Sequence, residues 1–456
     1  MNLRSRAFES TAFFSRASNF QLHGTNIFSG GDVLNNQENV PNYTNPVRLI
    51  LFHCALDALV DSNRRYDPPR CEPQTRDEII QEIIDWVNND TSPPIMWLRG
   101  SAGCGKSAIC QTIAELFGQK KTLIASFFFS RAAGSSSSSN GDCLIPTIIF
   151  QLRQSLPETR PFIDAEIRKN PIIFTRARGV QMASLFVHPL QQRSILRFFK
   201  NLLGQKVRLI VLDGWDECQD PEVQCDLLRI LADAVSTLSR KVRILIASRP
   251  EAHITHVFET YPTFQRLNMR QINLDEDHGA SQDILHFIRD KIRQIRETHP
   301  LRNYLNPSWP SDAAVNFLVS KASPQFILAS TVMTYISDLE DRPDARLDAI
   351  INALSGSQEP AIDNPFENLD KVYRFIFTQV KARYRQYVWC ILGGIHGNIG
   401  HKLPFPIPCP NFFEIFFKLR PGEVNLMLNP LLSLLSIPKD PVLLQSATNG
   451  QSRVVD

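Results

Sequence analysis

Hydrophobic positions along the chain change character three times. Residues 48–62 carry apolar positions at helical spacing and predict one amphipathic helix. Residues 76–88 predict a second, with Ile79, Ile80, Ile83, Ile84 and Val87 on one face. The Pro-rich connector Asp67–Pro73 separates the two. Beyond it the pattern turns to short apolar blocks rich in branched residues: Ile95–Leu98, Leu123–Phe129, Val207–Leu212 and Val242–Ala247. Potential helices lie between them. Strands alternating with helices predict a parallel α/β sheet with helices on both faces. From about residue 278 the strand blocks stop. Helical spacing then covers Gln282–Ile295, Ser311–Ser320, Gln325–Ile336 and Leu369–Gln379. Polar, turn-rich residues 1–47 read as a weakly ordered leader. The run Ser135–Ser139, followed by Asn140-Gly141, reads as a flexible surface loop. A second Pro cluster falls at Pro404, Pro406, Pro408 and Pro410, and the last residues show no strong period.

Composition narrows this little. Hydrophobic residues at 43% and charged residues at 21% describe a globular chain and exclude wholesale disorder. A net charge of +3 gives no electrostatic reason to expect nucleic acid or an anionic membrane as partner. No apolar stretch approaches the ~20 residues that cross a bilayer, and no secretory signal is visible. None of the nine cysteines forms a C-x-x-C pair, so reduced thiols in a cytoplasmic protein are expected.

Three strand ends carry candidate chemistry. The segment Gly100-Ser101-Ala102-Gly103-Cys104-Gly105-Lys106-Ser107 matches the phosphate-binding pattern G-x-x-x-x-G-K-[ST]. Its glycines allow backbone N–H groups to converge on a phosphate, and the following helix adds its positive end. Lys106 is expected at the β/γ-phosphates and Ser107 at Mg²⁺. A predicted strand before the loop and a predicted helix after it supply the context the pattern needs. The second element is Arg208–Leu212 followed by Asp213-Gly214-Trp215-Asp216-Glu217. Asp213 is placed to hold Mg²⁺, and Asp216 or Glu217 to orient or deprotonate an attacking water. The third is Val242–Ala247 ending in Ser248-Arg249-Pro250, where Ser248 and Arg249 are candidates for sensing a γ-phosphate. Trp97 and Trp215 read as aromatic packing beside the sheet.

These three motifs together, G-S-A-G-C-G-K-S, D-G-W-D-E and S-R-P, resemble a NACHT-type NTPase of the STAND group. More narrowly, the chain is similar to fungal NACHT proteins whose N-terminal region resembles nephrocystin-3-like proteins. The leader Ala17–Gly24, the segment Cys71-Glu72-Pro73-Gln74-Thr75-Arg76, Asp283–Ile295, Phe366–Tyr373 and Leu419–Val424 carry the rest of the likeness. The resemblance implies that Thr75 and Arg76 line a base pocket. It divides the chain into the leader, a helical region at 48–90, a nucleotide-binding domain at 91–275, a helical domain at 276–360, a partial winged helix at 361–440 and an atypical tail at 441–456. It implies ATP or GTP with Mg as ligands, slow hydrolysis that resets a signalling switch, and self-association or association with related NACHT proteins. The family has a Gly before the aromatic of the helix near residue 325, where this chain has Ser323-Pro324-Gln325-Phe326-Ile327. No repeat array follows. The alternative expectation is therefore a truncated, non-catalytic interaction protein that keeps the fold and co-oligomerises with longer relatives.

Overall fold

Five short strands organise the first part of the molecule: β1 (Ile95–Arg99), β2 (Leu123–Phe128), β3 (Arg208–Asp213), β4 (Val242–Ser248) and β5 (Arg270–Asn273). In this computed structural model they form one parallel sheet in the order β2-β3-β4-β1-β5. The structure describes residues 45–63, 65, 68–131, 137–192, 207–238, 242–276, 279–339, 341–355, 367–396 and 410–431. Most of the expected leader, the Pro404–Pro408 cluster and the expected tail lie outside them.

Alternation along the strands explains the layers. Ile95 and Trp97, Phe127, Ile210 and Leu212, and Ile244 and Ile246 enter one core. Met96 and Leu98, Phe128, Leu209 and Val211, and Leu245 and Ala247 enter another on the opposite face. A parallel sheet needs cover on both faces, and the apolar residues that β1 to β4 present to each face make that cover possible. The second face is covered by α2 (Asp77–Asn88) and α3 (Lys106–Gln119). The first is covered by α1 (Pro46–Phe52), α4 (Leu144–Ser155), α5 (Arg160–Lys169), α6 (Arg178–Met182), α7 (His188–Gln191), α8 (Pro221–Thr237), α9 (Ala252–Thr260) and α10 (Pro262–Leu267).

Two expectations need correction here. The single helix at 48–62 is instead α1 followed by a short 3-10 turn, Leu56–Ala58. Asp57 falls where a continuous amphipathic face would need an apolar residue, and it is buried as acceptor of the Ser137 hydroxyl at 2.8 Å. The serine run is not a surface loop throughout. Ser138 and Ser139 are buried, and Ser138 donates to the Ser130 carbonyl at 3.2 Å.

After β5 the described residues are helical: α11 (Ala280–Thr298), α12 (Asp312–Ala322), α13 (Phe326–Ile336), α14 (Pro343–Ser355), α15 (Glu367–Thr378), α16 (Ala382–His396), α17 (Pro410–Phe416) and α18 (Glu423–Leu428). They share a separate core that runs from Ile284 and Phe287 through Val332 and Ile350 to Val372 and Val424. The fold is thus an α/β parallel sheet of the P-loop kind joined to a helical region. Among the described residues, no helix is long and apolar enough to cross a membrane.

Candidate functional site

The loop between β1 and α3 is the expected phosphate cradle. Gly103 and Gly105 hold φ of +77° and +98°, which an L side chain adopts only at a cost. Lys106 opens α3, and its ammonium donates to the carbonyls of Gly100 at 2.8 Å and Ser101 at 2.7 Å. Ser101 is fixed from the other side: its N–H donates to both Asp275 oxygens at 2.9 Å and its hydroxyl to one of them at 2.8 Å. Cys104 is fully buried, and burial raises its thiol pKa. Ala102 lies in the same turn.

β4 separates the acidic strand β3 from β1, yet both strands point their carboxyl ends at the cradle. Ligands of open parallel sheets bind at those ends. Asp213, the last residue of β3, is buried at 4% exposure and hydrogen-bonds Ser107. Its Oδ1 has no hydrogen-bond partner among the described residues. Burial pushes the Asp213 carboxyl up to about 6, against the hydrogen bond from Ser107 and the charges of Arg65 and Lys106, which lower it. A buried carboxylate with one unsatisfied oxygen next to a hydroxyl is the donor set a hard cation such as Mg²⁺ takes.

The structure separates the roles of Asp216 and Glu217. Asp216 accepts the Arg249 N–H at 2.9 Å, and its other oxygen lies 3.2 Å from Arg249 Nε. That pair ties the turn after β3 to the end of β4. The Arg249 side chain remains half exposed while Asp216 is buried. Glu217 accepts a single hydrogen bond among the described residues, from the Arg131 N–H at 3.0 Å. Burial raises its pKa, with Asp216 adding to the rise and Arg131 and Arg249 opposing it.

Ser248 does not join this group as a sensor. It is fully buried, and its hydroxyl accepts the Trp97 indole N–H at 2.9 Å. Trp97 also stacks on Phe258 with ring centroids 4.4 Å apart, so it packs beside the sheet as expected. Trp215 is fully buried against Phe129.

Thr75 and Arg76 precede α2 and diverge in role. The Thr75 hydroxyl donates to the Glu72 carbonyl at 2.7 Å. Arg76, 3% exposed, reaches the cradle: its Nη2 donates to the Cys104 carbonyl at 3.0 Å. Its backbone N–H donates to Asp283 at the start of α11 at 3.2 Å, and its guanidinium lies over the Phe326 ring at 4.8 Å. The altered run at 323–327 therefore still meets the loop. The Ile327 N–H donates to the Gly103 carbonyl at 3.2 Å.

Sequence reasoning missed Arg131, Asp275 and Ile327. An arginine three residues beyond one strand, and an aspartate two residues beyond another, carry no signal that separates them from surface charge. The only available cue was position, since each follows a strand's carboxyl end or starts a helix.

Against known proteins, residues 74–249 match the family model for nephrocystin 3, N-terminal. That span begins just before Arg76 and ends at Arg249, so it contains the whole cradle and the acidic strand. No curated protein matches. Among solved structures, one chain described as the structure of Drosophila ORC bound to DNA is similar at 13% identity, covering 83% of this chain and 72% of that one, with a TM-score of 0.28.

Proposed function

We propose that the protein is a nucleotide-dependent switch of the NACHT/STAND type, which binds ATP or GTP with Mg²⁺ and hydrolyses it slowly. One observation carries the reading. The buried Asp213 carboxylate, whose Oδ1 has no hydrogen-bond partner among the described residues, hydrogen-bonds the Ser107 hydroxyl where the glycine loop meets α3. A Gly-rich turn that bound nothing would have no reason to bury a carboxylate beside it, because an unpaired charge is costly away from water.

When bound, Mg²⁺ supplies charge stabilisation to the phosphoryl group being transferred. Ser107 and Asp213 are the residues that would hold it. The backbone N–H groups of Gly103–Ser107 and the start of α3 favour phosphate charge. Lys106 exchanges the Gly100 and Ser101 carbonyls for phosphate oxygens. Glu217, with one oxygen held by the Arg131 N–H, is the base that orients water and takes its proton. Asp216 fixes Arg249, whose half-exposed guanidinium answers charge at the strand ends. Arg76 and Ile327 join the cradle to α11 and α13, so a change at the loop is felt by the helical region. That coupling supports a switch over a simple hydrolase, because contacts made in only one nucleotide state are what shift a conformational equilibrium. The domain division and the self-association implied by the family likeness belong to the same proposal.

Binding of labelled ATP and GTP to the wild type and to Lys106→Ala tests it. Binding lost in the variant supports the switch. Equal binding by both proteins contradicts it and leaves the non-catalytic interaction protein as the better account.

A further inference from the structure

We propose that Arg131 is a positioning residue for hydrolysis, holding the turn at 216–218 and aiming the Glu217 carboxylate; the proposal rests on the hydrolytic reading above. Arg131 lies three residues beyond the end of β2, whose pairing with β3 extends to the Phe129 N–H donating to the Asp213 carbonyl at 2.9 Å. This delivers Arg131 to the acidic turn. Its Nη2 donates to the carbonyls of Asp216 at 2.8 Å and Cys218 at 3.1 Å, and its Nε to that of Glu217 at 3.2 Å. Three consecutive carbonyls at the end of the 3-10 turn Trp215–Glu217 thus share one guanidinium. Such carbonyls have no partner within a helix, and a planar fork of donors matches them in a way an ammonium cannot.

The same residue also touches the functional group. The Arg131 N–H holds one Glu217 oxygen at 3.0 Å, and the other accepts no hydrogen bond among the described residues. The backbone of the turn and the orientation of its carboxylate are thereby set by one residue from the segment after β2. The chain downstream of Arg131 braces the far end of the turn. The Gln219 N–H donates to the Ser139 carbonyl at 2.9 Å, and Gln219 Nε2 donates to the Ser139 hydroxyl at 2.7 Å. Ser139, which accepts both bonds, is buried. Within the turn, the inner side is fixed by Gln224, fully buried, whose Nε2 donates to the Cys218 carbonyl at 2.8 Å. The outer side depends on Arg131. Arg249 cannot replace it, because its guanidinium is paired with the Asp216 side chain.

The test is steady-state Mg·ATP turnover by the full chain, with nucleotide affinity from a fluorescent ATP analogue and a thermal melt on each variant. The variants are Arg131→Ala, Arg131→Lys, Glu217→Gln and the double variant Arg131→Ala/Glu217→Gln. A misaimed base lowers kcat by about 10–100-fold in both Arg131 variants, with affinity within about twofold of wild type. Residues acting as one unit are non-additive, so adding Arg131→Ala to Glu217→Gln costs nothing further. Full turnover by Arg131→Ala overturns the proposal, as does multiplication of the two losses in the double variant. Recovery of full turnover by Arg131→Lys also overturns it, since charge alone would then suffice. If Arg131→Ala loses its cooperative melt, Arg131→Lys, which keeps the stem and the charge, decides the question. A wild type that binds nucleotide through Lys106 but turns over none of it overturns the hydrolytic reading and this proposal with it. Turnover with additive losses overturns this proposal alone.

Discussion

Asp213 shows how burial gives one side chain a pH-dependent cost. Burial holds its folded pKa at about 6, above the ordinary 3.8 of an aspartate. Between those values the folded protein keeps a proton that the unfolded chain has released, so stability falls as pH rises through the window and is level above it. The full shift corresponds to about 3 kcal/mol. Asp213→Asn removes the titrating group. In metal-free buffer the variant is expected to melt above the wild type at about pH 7.5, with the gap closing toward about pH 4. The same variant is expected to lose Mg²⁺-dependent nucleotide binding. A variant that melts below the wild type at the higher pH would show that Asp213 is satisfied as an anion without a cation. Asp216 offers the contrast: equally buried, it is paired to Arg249 and serves the architecture of the strand ends.

Among the elements, α13 matters most to the loop it meets. A Cβ on Gly103 would lie 2.3 Å from Ile327 Cγ2, and the residue's φ of +77° already disfavours any side chain. Gly103→Ala is therefore expected to cost about 1–3 kcal/mol by chemical denaturation. Adding Ile327→Ala should return the steric part and leave the backbone part. A Gly103→Ala protein as stable as wild type would mean the α13 contact is not formed in solution. The elements differed in how openly the sequence announced them. β1 to β4 and α2 were visible because their apolar periods are continuous: Ile79, Ile83 and Val87 face the core as the spacing required. β5, with the sequence Arg270-Gln271-Ile272-Asn273, was not. A four-residue edge strand paired only to β1 is solvated on its outer side and needs no apolar block. The buried half of the serine run was hidden for a related reason. Serine composition reads as loop, while Ser138 and Ser139 are buried through bonds to backbone and to Gln219, which no periodicity encodes. The glycine loop was legible because the phosphate-binding pattern has fixed spacing, and Asp213 because it ends a continuous apolar strand. Arg131 and Asp275 were not, because they act on backbone groups that any sequence supplies.

For the molecule as a whole, the question is what joins the sheet domain to the helices. Arg76 stands at that junction, bonded to Cys104 in the loop and Asp283 in α11, and lying over Phe326 in α13. Nearby, Lys291 of α11 pairs with Glu72 at 2.6 Å. Arg76→Ala forfeits a charge-assisted hydrogen bond and a cation–π contact, about 2 kcal/mol together. The loss is expected to be local: hydrogen exchange speeds up in the first turns of α11 and α13 while β1, β3 and β4 stay protected. Uniform acceleration across both cores would instead mark Arg76 as part of one cooperative fold. The most direct measurement of the central claim is equilibrium binding of labelled Mg·ATP and Mg·GTP to the full chain, wild type against Lys106→Ala. Binding by the wild type to at least one of the two, lost in the variant while its melt is unchanged, is the predicted result. Binding by neither protein, or the same binding by both, would contradict it.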